Sequence, residues 1–198
     1  MNLMSDSRFD SMRWNTLSSR TIIKDRWVNL RADECRRADG TVIAPFYVNQ
    51  LPDFVVVVAV TDADQFVMIY QYRHAIDKVI LEVPAGCLEP GETMEAAAAR
   101  ELMEETGYEA GKLTFLGKMA PNASCLSNYA WCYLAEGAKK VDKQKLDETE
   151  EIEVILMKEE DLRHALTEGM VEQAVHVGAL YLAFDARKGS PLTQQNKE

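Results

Sequence analysis

The chain has 198 residues and a formal net charge of −10 at pH 7. That length suits one domain with a sizeable core, or one domain with a small appendage. The acidic excess argues against nucleic acid or an anionic membrane as a partner, because both carry the same sign of charge. The apolar run at residues 54–60 is too short to span a bilayer.

The N-terminal part predicts a small antiparallel β subdomain over residues 1–50. Residues 1–12 are polar and lack periodicity, which predicts a mobile segment. Residues 14–31 and 32–50 have the composition of strands joined by turns, and Ala38-Asp39-Gly40-Thr41 is a hairpin signal.

Residues 51–186 predict the main domain. Its first strand, 54–60, is an unbroken β-branched run of the kind that is buried on both faces of a sheet. Further strands are predicted at 65–72, 112–120, 129–136 and 151–157, and residues 78–84 lead into a loop before the first helix. A charged loop is predicted at 138–147, and helices at 93–106, 158–167 and 171–186. This order predicts an α/β (α+β) fold, an α-β-α sandwich around a mixed sheet. Residues 187–198 are predicted to be a disordered tail.

Cysteine and histidine usage points away from zinc and from disulfide bonds. No Cys-x-x-Cys pair occurs, and the chain has three histidines and four cysteines. Cys87, inside a predicted loop, is expected to be a small packing residue. Free thiols, and an N-terminus without a secretory signal, predict a reducing, cytoplasmic setting.

Three glutamates share one face of the helix predicted at 93–106. Thr93 can cap its start and Gly107 suits the left-handed residue at its end. Glu101, Glu104 and Glu105 are spaced i, i+3, i+4, so their like charges repel each other. A hard divalent cation among them would relieve that repulsion. A solvated acidic helix face is the alternative interpretation.

The residues around this helix have a fixed spacing. Five residues separate Gly86 from Glu92, seven separate Glu92 from Arg100, and residues 101–108 read ELMEETGY. This pattern resembles the signature of the Nudix hydrolases at every defining position. Tyr108 stands where an aliphatic residue is commoner in that family.

The resemblance implies a site for Mg²⁺, or Mn²⁺, at this helix. The implied ligands are the carboxylates of Glu101, Glu104 and Glu105 and the backbone carbonyl of Ala85, with Glu92 as an outer or additional ligand. Glu104 and Arg100 are also candidate catalytic residues. The planar guanidinium of Arg100 can orient a carboxylate. Gly86 is expected to permit a tight loop.

Segments on either side resemble the ADP-ribose and ADP-sugar pyrophosphatase members of that family. The resemblance implies that Arg73 contacts phosphate and that Glu82 lies near the terminal sugar. An ordinary surface arginine and a structural ion-pair partner are the alternatives. Glu150 in the acidic segment 146–154 is the implied general base, with Glu148 as the second candidate. A solvated acidic loop is the alternative there.

The N-terminal segment carries aromatic residues that the same resemblance places near a nucleobase. Trp27 is the first candidate for stacking on the base and Phe46 is the second, with core packing as the alternative. The resemblance also implies a homodimer with exchanged N-terminal sheets. Residues 121–128 depart from the subfamily pattern, which has a Ser-Pro-Gly stretch and then an acidic residue there.

Taken together, the sequence predicts a Mg²⁺-dependent hydrolase of a nucleoside diphosphate sugar. The first expected substrate is ADP-ribose, which would give AMP and ribose 5-phosphate. GDP-mannose or a dinucleoside polyphosphate would suit the same chemistry. A nucleotide sensor that binds without hydrolysis is a further alternative, although the carboxylate set is complete and the chain has no basic module.

Overall fold

The computed structural model describes residues 7–189, which form two compact units. One unit contains the chain up to Leu51 together with Asn122–Asn128, and the other contains Pro52–Pro121 and the chain from Tyr129. The sequence placed a boundary after residue 50 but did not assign residues 122–128 to the N-terminal unit.

The N-terminal unit is the predicted small antiparallel sheet. Its strands, in spatial order, are β1 (Asn15–Lys24), β2 (Asn29–Arg36) and β3 (Val42–Asn49). The turn between β2 and β3 lies at the predicted hairpin, where Gly40 takes a φ of 86° that suits glycine. Residues Ser7–Met12 form a short 3₁₀ helix, where the sequence predicted no regular structure; residues 1–6 lie outside the described part.

The second unit is built on one mixed sheet. Its elements are β4 (Phe54–Thr61), β5 (Gln65–Arg73), β6 (Lys78–Glu82), β7 (Ala85–Cys87), α1 (Met94–Thr106), β8 (Tyr108–Glu109), β9 (Lys112–Met119), β10 (Ala130–Lys140), β11 (Ile152–Lys158), α2 (Glu159–Thr167) and α3 (Ala174–Arg187), with a 3₁₀ turn at His74–Ile76. The order β11-β5-β4-β10-β8 runs across the sheet, while β6 pairs with β5, β7 with β4, and β9 with β10. The β4–β10 pair is parallel and the other pairs are antiparallel.

Helices cover both faces of this sheet, as the predicted α-β-α sandwich requires. Strand β4 is central, and its alternate residues enter two different cores. Val56 packs in one core with residues of α2 and α3. Val55 packs in the other with Ala97 and Leu102 of α1. Burial of both strand faces explains why residues 54–60 are apolar without alternation.

Several boundaries differ from the prediction. Strand β10 continues to Lys140, into the segment predicted as a charged loop, because Lys139 and Lys140 pair with β8. The two- and three-residue strands β8 and β7 carry too little periodicity to be predicted. The last helix begins at Ala174 rather than 171.

The predicted disordered tail began at residue 187. Arg187 instead ends α3 and forms ion pairs with Glu159, at 3.1 Å, and with Asp64. Residues 190–198 lie outside the described part. Within residues 7–189, each helix is too short or too polar to cross a membrane.

Helix α3 carries a histidine that is buried against the chain that follows β6. His176 is 1% exposed, and its Nδ1 accepts a hydrogen bond from the Val83 N–H at 3.4 Å. Burial lowers the pKa of His176 to about 4; the negative charge of Glu82 opposes that shift and the positive charge of Arg73 adds to it. His176 is therefore neutral at pH 7 and serves the backbone as an acceptor.

This depressed pKa predicts a loss of stability in weak acid. The unfolded chain binds a proton at His176 near pH 6.5, whereas the folded chain does so only near pH 4. The contribution of neutral His176 is therefore complete above pH 6.5 and falls by up to about 3 kcal/mol on acidification to pH 4. In a His176→Gln variant, the new side-chain amide can still accept a hydrogen bond but does not titrate.

Urea unfolding at several pH values measures this effect. The free energy of unfolding of the wild type should decline relative to that of His176→Gln between pH 6.5 and pH 4. A difference between the two proteins that stays constant over that range would contradict the prediction.

Candidate active site

Helix α1 begins at Met94, one residue after the predicted start, and ends at Thr106 as predicted, with Thr93 and Gly107 as its caps. Thr93 Oγ1 accepts a hydrogen bond from the Ala96 N–H at 3.2 Å, which caps the first turn. Gly107 closes the helix with a φ of 75°. A Cβ at Gly107 would overlap the carbonyl oxygen of Asp142, so the later chain packs against the helix end at a distance that only glycine allows.

Arg100 contacts three carboxylates at once. Its Nε and Nη2 each lie 2.9 Å from a carboxylate oxygen of Glu92, and its Nη1 lies 2.8 Å from Glu101 and 3.0 Å from Glu104. Nη2 also donates to the carbonyl of Cys87 at 2.9 Å. The hydrogen bond with Glu92 is the largest cause of the raised pKa of Arg100, and it lowers the pKa of Glu92. Arg100 therefore offsets the repulsion within the glutamate cluster.

Two of the three glutamates on the shared face of α1 are buried. Glu105 is 2% exposed and Glu101 is 8% exposed, whereas the side chain of Glu104 is 41% exposed. Burial raises the pKa of Glu105 to about 9, despite the hydrogen bond that its Oε2 accepts from the Ala85 N–H at 3.0 Å. Burial also raises the pKa of Glu101. For both groups, the loss of hydration outweighs the hydrogen bonds and positive charges that favour the ionised form.

The backbone at Ala85 and Gly86 lies directly against these carboxylates. Strand β7 pairs with β4, which brings Gly86 opposite Val55 on the face that α1 covers. A Cβ at Gly86 would overlap the carboxyl group of Glu101. Gly86 is therefore required for this close approach, a more specific reason than the tight loop that the sequence predicted.

The donor set fits a hard divalent cation. It combines buried carboxylates of raised pKa with a closely apposed backbone segment, and such ions prefer oxygen ligands. Among residues 7–189, no three side chains of the acidic, His or Cys types already converge as a metal-binding group. Glu101 and Glu104 instead accept hydrogen bonds from Arg100, and Glu105 accepts one from the Ala85 N–H.

Glu150 lies close enough to this cluster to act on it electrostatically. After burial, which is the largest cause, the negative charge of Glu150 contributes to the raised pKa of both Glu101 and Glu105. Its Oε2 accepts a hydrogen bond from the Asp147 N–H at 3.0 Å, and its own N–H donates to the Asp147 carbonyl at 3.0 Å. Glu148, the other candidate base, is exposed on the same turn.

The loop that carries Glu150 is tied to the end of α1. Backbone N–H groups of Val141 and Lys145 donate to the carbonyls of Gly107 and Glu104, at 2.9 and 2.8 Å. The side-chain amide of Gln144 donates to the Glu105 carbonyl at 2.7 Å. These contacts were not predicted from the sequence, because the charged segment around Gln144 shows no pattern that marks an anchoring residue.

Arg73 and Glu82 form a two-pronged ion pair on adjacent strands. Arg73 Nη2 lies 2.6 Å from Glu82 Oε2, and Arg73 Nε lies 3.0 Å from the same oxygen. Glu82 is fully buried, while the Arg73 side chain is 36% exposed. The ion pair that was the alternative interpretation for Glu82 is thus present. The Arg73 side chain stays partly exposed in this pair.

The aromatic candidates belong to the N-terminal unit. Trp27 is 65% exposed and lies in a turn where its backbone N–H donates to the Asp25 carboxylate. The Arg26 guanidinium lies 4.2 Å from the centroid of the Trp27 ring. Phe46 is half-buried and packs edge-on against Trp14 at 5.7 Å between ring centroids. Trp27 is therefore not a core residue, whereas Phe46 has a packing partner.

The atypical segment after Pro121 also belongs to the N-terminal unit. Asn122 organises a turn in which its Oδ1 accepts from the Ser124 N–H and hydroxyl. The Asn49 N–H donates to the Cys125 carbonyl at 2.8 Å, and the Ser127 N–H donates to the Asn49 carbonyl at 3.3 Å. This segment is thus hydrogen-bonded to the last residue of β3.

Known proteins resemble the chain over most of its length. It is 32% identical over 169 residues to a methanol dehydrogenase activator of Bacillus methanolicus, a match that covers 84% of this chain and 91% of the relative. It is 34% identical over 152 residues to an ADP-ribose pyrophosphatase of Bacillus subtilis, with 76% and 82% covered.

The fold and the domain families agree with these relatives. A crystal structure of an ADP compounds hydrolase superimposes with a TM-score of 0.80 at 24% identity, covering 89% of this chain and 95% of that one, which supports the fold. Residues 14–49 match the nucleoside diphosphate sugar hydrolase N-terminal domain. Residues 51–177 match the NUDIX domain. The chain is therefore a member of the Nudix hydrolase family.

Proposed function

We propose that this protein hydrolyses the diphosphate bond of a nucleoside diphosphate sugar, and that ADP-ribose is its preferred substrate. The observation that carries the proposal is the pair of buried carboxylates, Glu101 and Glu105, held against a glycine-dependent backbone segment. The NUDIX domain and the N-terminal domain named for nucleoside diphosphate sugar hydrolases support it. So does the Bacillus subtilis relative, which is named an ADP-ribose pyrophosphatase.

Members of this family generally need a divalent metal ion, and we propose Mg²⁺ for this chain. The residues that would hold it are Glu101, Glu105 and Glu104, with the carbonyl oxygen of Ala85. When bound, such an ion polarises a phosphorus–oxygen bond and lowers the pKa of a bound water. Arg100, which holds Glu101 and Glu104 and makes two further bonds to Glu92, would orient these carboxylates beside the ion.

The hydrolysis itself needs a base for the attacking water. The water oxygen bonds to one phosphorus, the bond from that phosphorus to the bridging oxygen breaks, and two phosphate monoesters result. We propose that the carboxylate of Glu150 accepts a proton from that water. The charge of Glu150 contributes to the raised pKa of Glu101 and Glu105, so its carboxylate lies near theirs. With ADP-ribose the products are AMP and ribose 5-phosphate.

Arg73 supports the recognition of a diphosphate. Its guanidinium is held in place by Glu82 but stays partly exposed, so it can contact a phosphate oxygen with its free edge. Glu82 is fully buried in that ion pair. We therefore propose that Glu82 acts on the substrate by positioning Arg73, rather than through the direct sugar contact implied by the resemblance.

Recognition of the base is assigned to Trp27, in a homodimer with exchanged N-terminal sheets. The exposed apolar side chains of Leu17, Ile23, Val42 and Tyr47 in the N-terminal sheet support a partner surface there. Phe46 is the weaker stacking candidate because it already packs on Trp14. A light-scattering mass equal to one chain would contradict the dimer.

A panel of nucleotide sugars with Mg²⁺ tests the function directly. We expect hydrolysis of ADP-ribose to be the most efficient, measured as kcat/KM, and chromatography to identify AMP and ribose 5-phosphate. A higher kcat/KM for GDP-mannose would reassign the substrate but keep the chemistry. Tight binding in calorimetry, without cleavage of any substrate by folded protein, would instead indicate a nucleotide sensor and overturn the proposal.

Glu105→Gln should lower kcat by about two orders of magnitude or more, the scale for losing a group that stabilises transition-state charge. Because Glu105 is buried with a pKa of about 9, the neutral isostere should not lower the thermal stability. Glu95→Gln, on the exposed first turn of the same helix, is the matched control and should keep kcat within about twofold. Near-wild-type turnover of Glu105→Gln would remove Glu105 from the metal site.

Trp27→Ala should raise KM for ADP-ribose about three- to tenfold at similar kcat, since an aromatic stacking contact is worth about 0.5–1.5 kcal/mol. Trp27→Phe retains a stacking ring and should recover most of the affinity. Equal KM values for wild type and Trp27→Ala in steady-state kinetics would exclude base stacking by this residue.

A further inference from the structure

The loop between β10 and β11 joins the candidate base to the candidate metal helix. Its first half donates backbone hydrogen bonds to carbonyls at the end of α1, through Val141, Asp142 and Lys145. Its end leads into β11, where Ile152 pairs with Gln71 of β5. Glu150 lies in the second half, which these backbone bonds to α1 do not reach.

One side chain connects the two halves. Gln144 Nε2 donates to the Glu105 carbonyl at 2.7 Å and to the Ile152 carbonyl at 3.1 Å. The amide thus uses one nitrogen to join the last turn of α1 to the first residue of β11. The hydrogen bond from Gln144 to the Ile152 carbonyl closes the chain between them into a ring, and Glu150 lies within this ring.

Both acceptors of Gln144 are adjacent to the proposed chemistry. One is the backbone of Glu105, whose own carboxylate faces Ala85. The other lies two residues after Glu150. Glu150 is further restrained within the ring by its two hydrogen bonds with Asp147. The position of the Glu150 carboxylate relative to that of Glu105 therefore depends on the bridge made by Gln144.

We propose that Gln144 is a positioning residue for the general base. The inference rests on the proposed function, in which Glu150 accepts the proton of the attacking water. A base must lie within hydrogen-bond reach of that water, and a misplacement of about 1 Å can cost on the order of 100-fold in rate. Gln144 sets this distance because it ties the loop of the base to the helix of the metal ligands.

Glutamine is the residue type that this bridge needs. Two carbonyl oxygens must be satisfied, and the amide nitrogen supplies two donors without a charge. Glutamate has the same shape but would direct acceptors at both carbonyls, next to Glu101, Glu105 and Glu150. The bridge also satisfies a carbonyl at the C-terminal end of α1, which has no partner within the helix.

The test measures kcat and KM for ADP-ribose with Mg²⁺ in four proteins: wild type, Gln144→Met, Glu150→Gln and the double variant. Methionine keeps the length and volume of the side chain but has no donor. Single-turnover conditions with enzyme in excess keep the slow rates measurable. We expect Gln144→Met to lower kcat about tenfold or more with KM within about twofold.

The double variant separates positioning from a general structural role. If Gln144 acts through Glu150, Gln144→Met should change kcat by no more than about twofold in the Glu150→Gln background. An equal loss of kcat in both backgrounds, or no loss in the wild type, would overturn the proposal. Lys145→Ala is the matched control, since Lys145 bonds α1 through its backbone and should keep kcat within about twofold.

Two further measurements keep the outcome clear. Gln144→Asn retains an amide but is one methylene too short to span both carbonyls, so it should also lose kcat while the fold is kept, as judged by thermal unfolding. Mn²⁺ affinity, measured by calorimetry, should stay within about twofold in both Gln144 variants. If Glu150→Gln alone retains wild-type kcat, the assignment of the base in the proposed function fails, which is a different result from a failure at Gln144 alone.

Discussion

Two glutamate carboxylates, Glu101 and Glu105, are buried beside the backbone at Ala85 and Gly86, and the rest of the second unit is arranged around that constraint. Removing a carboxylate from water costs several kcal/mol unless charge or hydrogen bonds compensate. Compensation is incomplete here, since burial raises the pKa of both groups. A buried pair of carboxyl groups that resist ionisation is a favourable place for a divalent cation, whose charge would stabilise the ionised form.

The fold supports this arrangement from three directions. Strand β4, buried on both faces, positions β7 so that Gly86 approaches Glu101 where a side chain could not fit. Arg100 balances part of the charge by holding Glu92, Glu101 and Glu104. The loop after β10 satisfies the carbonyls at the end of α1 and carries Glu150 toward the same carboxylates. Each element makes contacts that a helix of this charge pattern could not make alone.

Sequence spacing was informative where the determinants are local. The cap at Thr93, the helix end at Gly107 and the buried strand at residues 54–60 follow from residue type and periodicity within a few positions. Short strands such as β7 and β8, and the continuation of β10 to Lys140, depend on pairing with distant segments and were not predicted. The segment 122–128 belongs to the N-terminal unit, where it hydrogen-bonds to Asn49, and this long-range association was not predicted.

The sequence by itself determined the chemistry class. The Gly, Glu, Arg and three-Glu pattern at fixed offsets resembles the Nudix signature, and that resemblance implies a metal-dependent diphosphate hydrolase. Tertiary structure decided how the groups are used: which glutamates are buried, which carboxylates Arg100 holds, that Arg73 pairs with Glu82, and that Gln144 links the Glu150 loop to α1. These contacts join residues from 8 to 39 positions apart, as well as helix neighbours. Burial and hydrogen bonding across such separations depend on how strands and helices pack, which no local pattern encodes.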